Sequence, residues 1–213
     1  MVFPYVVGPP VISAITLAFF ASNGSSASST ISCPASILAG DLIVLLDNSL
    51  VTPAGSIPAA VTPAGWTQAV TQGDTLAGIA SLRTSIVWKT AAGTEGGTVI
   101  TGMAPNTASD KVMLVFRPTG GTTWTPSGAA ANNSATTPSI GTITAGAAPG
   151  IMIAYGQNYS NATQSTMSPA GTYVTQSTAR GMYIVYNSSP ANNTPAVGGG
   201  AGGAISGVYF ART

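Results

Sequence analysis

One succession of features occurs twice along this chain of 213 residues, and it limits the folds available. In the first half, Ala39-Gly-Asp-Leu-Ile-Val-Leu-Leu46 leads to Thr62-Pro-Ala-Gly-Trp-Thr67. Next come Arg83-Thr-Ser-Ile-Val-Trp88 and the apolar run Val112–Phe116, closed by Arg117. In the second half, Ala148-Pro-Gly-Ile-Met-Ile-Ala-Tyr155 leads to Ser168-Pro-Ala-Gly-Thr-Tyr173. Arg180-Gly-Met-Tyr-Ile-Val-Tyr186 and Ile205-Ser-Gly-Val-Tyr-Phe210 follow, with Arg212 just beyond. The anchor is Pro-Ala-Gly followed shortly by an aromatic. Pro63 and Pro169 preset φ for a turn, Gly65 and Gly171 permit a positive φ, and Trp66 and Tyr173 begin the next strand. A half of about five strands has an apolar face that must be covered. Two halves packed face to face, or interleaved, cover each other as a sandwich.

The apolar segments have strand length and are separated by turn residues, the pattern of an all-β chain. Expected strands are Ser13–Ala21, Ser29–Cys33, Asp41–Asp47, Trp66–Thr71, Ser81–Lys89, Gly97–Thr101 and Lys111–Arg117. Ser139–Ile143, Gly150–Gln157, Gly171–Gln176, Arg180–Tyr186 and Gly203–Ala211 follow. Leu42–Leu46 and Val112–Phe116 are unbroken apolar runs, as expected of strands covered on both faces or lying at an interface. Long helices are not expected, because Gly and Pro recur throughout and Ser, Thr and Asn compete for backbone hydrogen bonds. Leu50–Pro63 and Thr119–Pro138 read as long loops, where function concentrates. The expected architecture is a two-sheet antiparallel sandwich of jelly-roll type over 13–213. It is built from two similar halves (about 13–118 and 119–213) and preceded by an extended arm, 1–12.

Charged residues make up only 5% of the chain, against about 25% in an average protein. The hydrophobic share is 45%, so a packed core is expected and disorder is not. The six basic residues, Arg83, Lys89, Lys111, Arg117, Arg180 and Arg212, are dispersed. Nucleic-acid binding needs clustered cations, so no nucleic-acid partner is expected. A near-neutral surface is poorly protected against association, which suits a homo-oligomer or a larger assembly. Cys33 is the only cysteine; it forms no internal disulfide and reads as a small core residue.

Val11–Ala21 is apolar enough to resemble a signal-peptide core. However, the first charge of either sign is Asp41, and Pro4, Pro9 and Pro10 interrupt the segment. No apolar run approaches the roughly 20 residues of a membrane-spanning helix. The expectation is a chain that keeps Met1, is made in a cytoplasm and leaves it, if at all, within an assembled particle. Met1–Pro10 is apolar and kept extended by its prolines, and such a terminus frays unless it is held. It reads as an arm laid on a neighbouring subunit or partner through Phe3, Tyr5, Val6 and Val7. The alternative is packing on its own sandwich.

Histidine is absent, which removes Ser-His-Asp and Cys-His catalysis, His-ligated metals and the commonest general base. The acids are Asp41, Asp47, Asp74, Glu95 and Asp110. Asp41 and Asp47 share one strand face but sit about 20 Å apart, too far for the paired carboxylates of glycoside hydrolysis. Asp74 and Asp110 sit at turns, as local backbone acceptors. No catalytic residue, metal site or cofactor is expected. Asp41 is either a turn residue or a buried partner for a strand-end arginine such as Arg117. Trp66, Trp88 and Tyr173 occupy strand positions and read as core rather than as a sugar-stacking platform. Trp124, in the polar stretch Thr122-Thr-Trp-Thr-Pro-Ser127, is the possible loop contact, either exposed or buried at a subunit interface. Asn-x-Ser/Thr triplets begin at Asn23, Asn132, Asn158, Asn161, Asn187 and Asn192, and high Asn, Ser and Thr content accounts for them. Gly198–Gly203 lacks the Lys-Ser/Thr of a phosphate loop and reads as a flexible turn.

A Ser/Thr/Gly-rich early region (Ile15–Ile31) precedes Ile37-Leu-Ala-Gly-Asp-Leu-Ile-Val44 and Thr62-Pro-Ala-Gly-Trp-Thr67. Ile86-Val-Trp-Lys89 runs into Ala91-Ala-Gly-Thr-Glu95, and a hydrophobic strand ends in Arg117-Pro118. This order resembles a group of bacteriophage virion proteins and related extracellular β-sandwich modules. They share a Gly-Asp-Leu strand, a Pro-Ala-Gly-Trp turn and a hairpin in which Tyr-Lys leads to Glu. Trp88 stands where that group usually has Tyr. The resemblance is strong over most of the first half and weak over the second, which it reaches through the repeat. It implies a jelly-roll-like sandwich on a virus particle and supplies no catalytic residues. A fibre protein normally carries a helical or repetitive stalk, and none is visible in this sequence, so the expected function is that of a capsid decoration (cement) protein. Its partners would be the major capsid protein and neighbouring copies of itself, and it would be made in the host cytoplasm and exposed on the virion surface. The alternative is a tail-associated adhesin or fibre-tip domain binding a host glycan.

Overall fold

The computed structural model describes residues 15–23, 30–51, 55–56, 59–76, 80–101, 103, 111–119, 123–134, 139–140, 142–145, 149–158, 167–168, 172–173, 182–187, 196–197 and 203–212. All regular structure among them is β, in fourteen strands. These are β1 (Ile15–Asn23), β2 (Ile31–Ser32), β3 (Leu42–Val51), β4 (Thr67–Leu76), β5 (Ala80–Thr90), β6 (Val99–Ile100) and β7 (Lys111–Pro118). They continue with β8 (Trp124–Ser134), β9 (Gly150–Asn158), β10 (Met167–Ser168), β11 (Thr172–Tyr173), β12 (Met182–Asn187), β13 (Ala196–Val197) and β14 (Gly203–Arg212). One five-stranded sheet runs β1-β7-β3-β5-β4 and a second runs β11-β12-β9-β14-β8. Two short ribbons, β2-β6 and β10-β13, stand apart, and every pairing is antiparallel.

Side chains alternate across a strand, and this sorts the long apolar runs into two cores. Leu42, Val44 and Leu46 of β3 join Ile86 of β5 and Val112, Leu114 and Phe116 of β7 on one face. They pack against Ile151, Ile153 and Tyr155 of β9 and Val208 and Phe210 of β14 from the second sheet. The two sheets therefore share one core, as in a β-sandwich. The other face of the first sheet is also covered. Ile43, Leu45, Val87, Met113 and Val115 pack beneath Ile31, Cys33, Ile37, Ala91 and Met103. This is why Leu42–Leu46 shows no alternation: both faces of β3 are dry. The second sheet has its own cover, with Ile140 and Ile143 over Met152, Ala154, Ile205 and Tyr209. Gly207 makes room for it, because a Cβ there would lie 2.5 Å from Ile143 Cδ1 and 2.7 Å from Ile140 Cδ1.

The Pro-Ala-Gly anchor of the first half folds as a turn. Trp66 N donates to Pro63 O at 3.1 Å, and Gly65 has φ +78°, the third-position geometry that favours glycine. Two expectations need correction. Thr119–Pro138 is not a loop, since it contains the eleven residues of β8. Among the described residues this strand pairs only with β14 and so lies at a sheet edge, where Pro126 and a run of Ala and Asn are tolerated. Ser139–Ile143 is not a strand; residues 139 and 143 make isolated bridges in the segment that caps the second sheet. The arm 1–12, with Phe3, Tyr5, Val6 and Val7, lies outside the described residues.

Candidate functional site

Chemistry-bearing side chains gather on the outer face of the first sheet. Asp47 is paired in register with Lys111 of β7 and with Ser85 of β5. Arg83, two residues from Ser85, is its diagonal neighbour, within reach of a long side chain. Asp47 Oδ1 accepts from Lys111 Nζ, and Asp47 Oδ2 accepts from Arg83 Nη2 at 3.1 Å. All three side chains are buried. Charges held this deep need one another, since removing one partner leaves the other charged in a medium that solvates it poorly.

Six residues along, at the entrance to β3, Asp41 meets the end of β7. Arg117 presents a fork to it, with Nε 3.0 Å from Oδ1 and Nη2 2.8 Å from Oδ2. Asp41 Oδ2 also accepts from Leu38 N at 2.8 Å, closing the turn that leads into the strand. The two sequence readings of Asp41, turn residue and arginine partner, are both realised. Beyond β5, Glu95 folds the 91–97 loop around its carboxylate, accepting from the N–H groups of Ala92, Gly93 and Thr94 at 2.9 to 3.1 Å. Lys89 Nζ lies 2.8 Å away and 5.9 Å from the Trp66 ring centroid, within cation–π range. Burial alone would push the Glu95 carboxyl up. The Lys89 ammonium and the loop N–H groups outweigh it and hold the pKa at about 2.

Asp41, Asp47 and Glu95 are thus each engaged by a cation or by backbone N–H groups inside the fold. Among the described residues no group of three or more His, Cys, Asp or Glu side chains could hold a metal ion. Asp74 does not sit at a turn: it lies within β4, paired with Leu82 of β5. Its side chain lies outside the described residues, as Asp110 does altogether. Cys33 is buried and free, with its thiol pKa raised by burial.

Trp124 requires correction. It is neither in a loop nor exposed: it opens β8, is 3% exposed and belongs to the core shared by the two sheets. Its Nε1 donates to Gly40 O at 2.9 Å, so the indole joins the second sheet to the turn before β3. Trp88 packs half-buried against the same core, 5.5 Å from the Phe210 ring. Trp66 packs against the cover of the first sheet. The side chain of Tyr173 lies outside the described residues.

The cover of the first sheet is held together by close backbone approach. A Cβ on Gly96 would lie 2.8 Å from Ala35 O, and one on Gly93 3.0 Å from Ala39 N. Cys33 N donates to Thr98 O and Gly40 N to Ala91 O. The 30–41 segment and the 91–100 segment therefore form one cap. That cap turns Leu38 and Val99, each 54% exposed, toward solvent, and Val61, 42% exposed, stands in the connection leading to the Pro-Ala-Gly turn. No helix among the described residues is long and apolar enough to cross a membrane. No protein-family model, no curated protein and no solved structure matches the chain.

Proposed function

We propose that this chain is a phage capsid decoration protein. It docks in many copies on the assembled head shell, touching the major capsid protein and neighbouring copies of itself, and stabilises the shell without catalysing a reaction. The observation that carries this reading is the division of labour among its side chains. The described acids are tied up in internal ion pairs and turns, while the outer cap presents Leu38 and Val99. Such a surface associates through apolar contact and backbone groups rather than through charge. The resemblance to virion β-sandwich proteins in the order of the Gly-Asp-Leu, Pro-Ala-Gly-Trp and hairpin motifs points to a place on a virus particle. The alternative, a glycan-binding tail domain, leaned on Trp124 as a stacking surface, and the burial of that indole weakens it.

The body that docks is proposed to be a single sandwich of two similar halves. In support, each five-stranded sheet takes its strands from one half of the chain. Aligned by the repeat, the orders β1-β7-β3-β5-β4 and β8-β14-β9-β12-β11 correspond strand for strand. The jelly-roll description has less behind it, because a jelly roll combines two Greek keys and these sheets each group consecutive parts of the chain.

The location is tested by dissociating particles and asking where the protein goes. Copurification with heads is expected, and copurification with tails overturns the reading in favour of the adhesin.

A further inference from the structure

Three of the four edge strands of the two main sheets are long: β1, β4 and β8 have nine, ten and eleven residues. The fourth, β11, has two described residues. A long edge presents unpaired N–H and C=O groups that template pairing with another chain, and proteins commonly blunt it with lysine, proline, bulges or a cover. Charge is almost absent here, since Asp74 is the only charged residue in β1, β4 and β8.

Each of these three strands instead carries one irregularity. In β1, Leu17 and Phe19 face the consecutive residues Phe116 and Val115, so Ala18 is extra. In β4, Gln68 and Val70 face Val87 and Ile86, so Ala69 is extra. In β8, the three steps from Ala130 to Ser127 oppose the two from Gly207 to Tyr209. The additional residue lies at Gly128–Ala129, where Gly128 takes φ +59°. The described interior pairings, β3 with β5, β3 with β7, β9 with β12 and β9 with β14, run without a register shift. A bulge bends its strand and increases the local twist, so a second strand cannot follow the edge over its full length. β8 has Pro126 in addition, which removes a backbone donor.

We infer that these edge bulges are a device against self-association, standing in for the charges this chain lacks and keeping copies from joining sheet to sheet. The inference does not depend on what the protein docks onto. It restricts how copies meet: through faces and loops, not by extending a sheet.

Deleting Ala69 tests it. The register on either side already pairs one to one, so the deletion makes β4 regular without flipping its neighbours. The full chain without Ala69 is expected to keep its β-sheet circular dichroism. Light scattering should show at least a doubling of mass relative to the parent at equal concentration. Adding Gln68→Lys, at an exposed edge position, should return it to the parent's mass. Deletions of Ala18 and Gly128 provide the same comparison at the other two edges. Parent-like mass in every folded deletion variant overturns the inference. So does failure of Gln68→Lys to reverse the association, or unfolding of all three deletions, which would assign the bulges to the geometry of the fold itself.

Discussion

Thr84 Oγ1 and Ser206 Oγ lie 2.8 Å apart, one from each sheet, and share a buried hydrogen bond across the sandwich. On the first sheet Thr84 stands two residues before Ile86 and on the second Ser206 stands two before Val208, so both point into the shared apolar core. Both residues are fully buried. Ser206→Ala or Thr84→Val alone should therefore cost about 1–3 kcal/mol, the price of an unsatisfied buried polar group. The double variant should cost clearly less than the two singles combined. Urea denaturation of the four proteins measures this; strict additivity would mean that the bond contributes nothing specific.

The Asp47 cluster predicts a larger effect. Asp47→Ala leaves Arg83 and Lys111 buried without their carboxylate and should destabilise the fold by about 3–5 kcal/mol. Replacing all three together by apolar side chains of similar volume, Asp47→Leu with Arg83→Met and Lys111→Met, should recover much of that loss. Equilibrium unfolding checks both, and an Asp47→Ala protein of parental stability would contradict the role given to this cluster.

Acid should act on the 91–97 loop. Glu95 has its pKa lowered from 4.5 to about 2 in the folded chain, so the folded state binds the proton less readily than the unfolded one. Its contribution is fully present above about pH 4.5 and disappears as the pH falls toward 2. Glu95→Gln should flatten the pH dependence of stability between about pH 2 and pH 4.5 and leave its pH dependence above that interval unchanged. Thermal melts of parent and variant between pH 2 and pH 6 are the measurement, and identical slopes would contradict the assignment.

Much of the fold could be read from the chain, for identifiable reasons. The unbroken runs at Leu42 and Val112 signalled strands covered on both faces, and the Pro63-Ala-Gly turn was specified by its own residues. Asp41 and Arg117 could be paired in advance because each marks an end of its strand. The Asp47–Arg83–Lys111 cluster could not, since the three come together only once β3 has taken β7 on one side and β5 on the other, a register the residues do not state individually. β8 carries no strand signal, because Pro126, Gly128 and a run of Ala and Asn have low strand preference and an edge position tolerates them. The repeat did hold a signal: a strand precedes Gly40-Asp41 in the first half, so one was due before Pro149-Gly150. That signal would also have moved Trp124 from a loop into the core.

Docking onto a shell through a neutral surface is tested by adding purified protein to undecorated particles over a range of ionic strengths. Few charges should mean few released counterions and little salt dependence. Occupancy that persists into high salt, and falls when Leu38 and Val99 are changed to Asp, is the expected result. Loss of binding at moderate salt, or binding indifferent to those two substitutions, would rule out docking through this apolar surface.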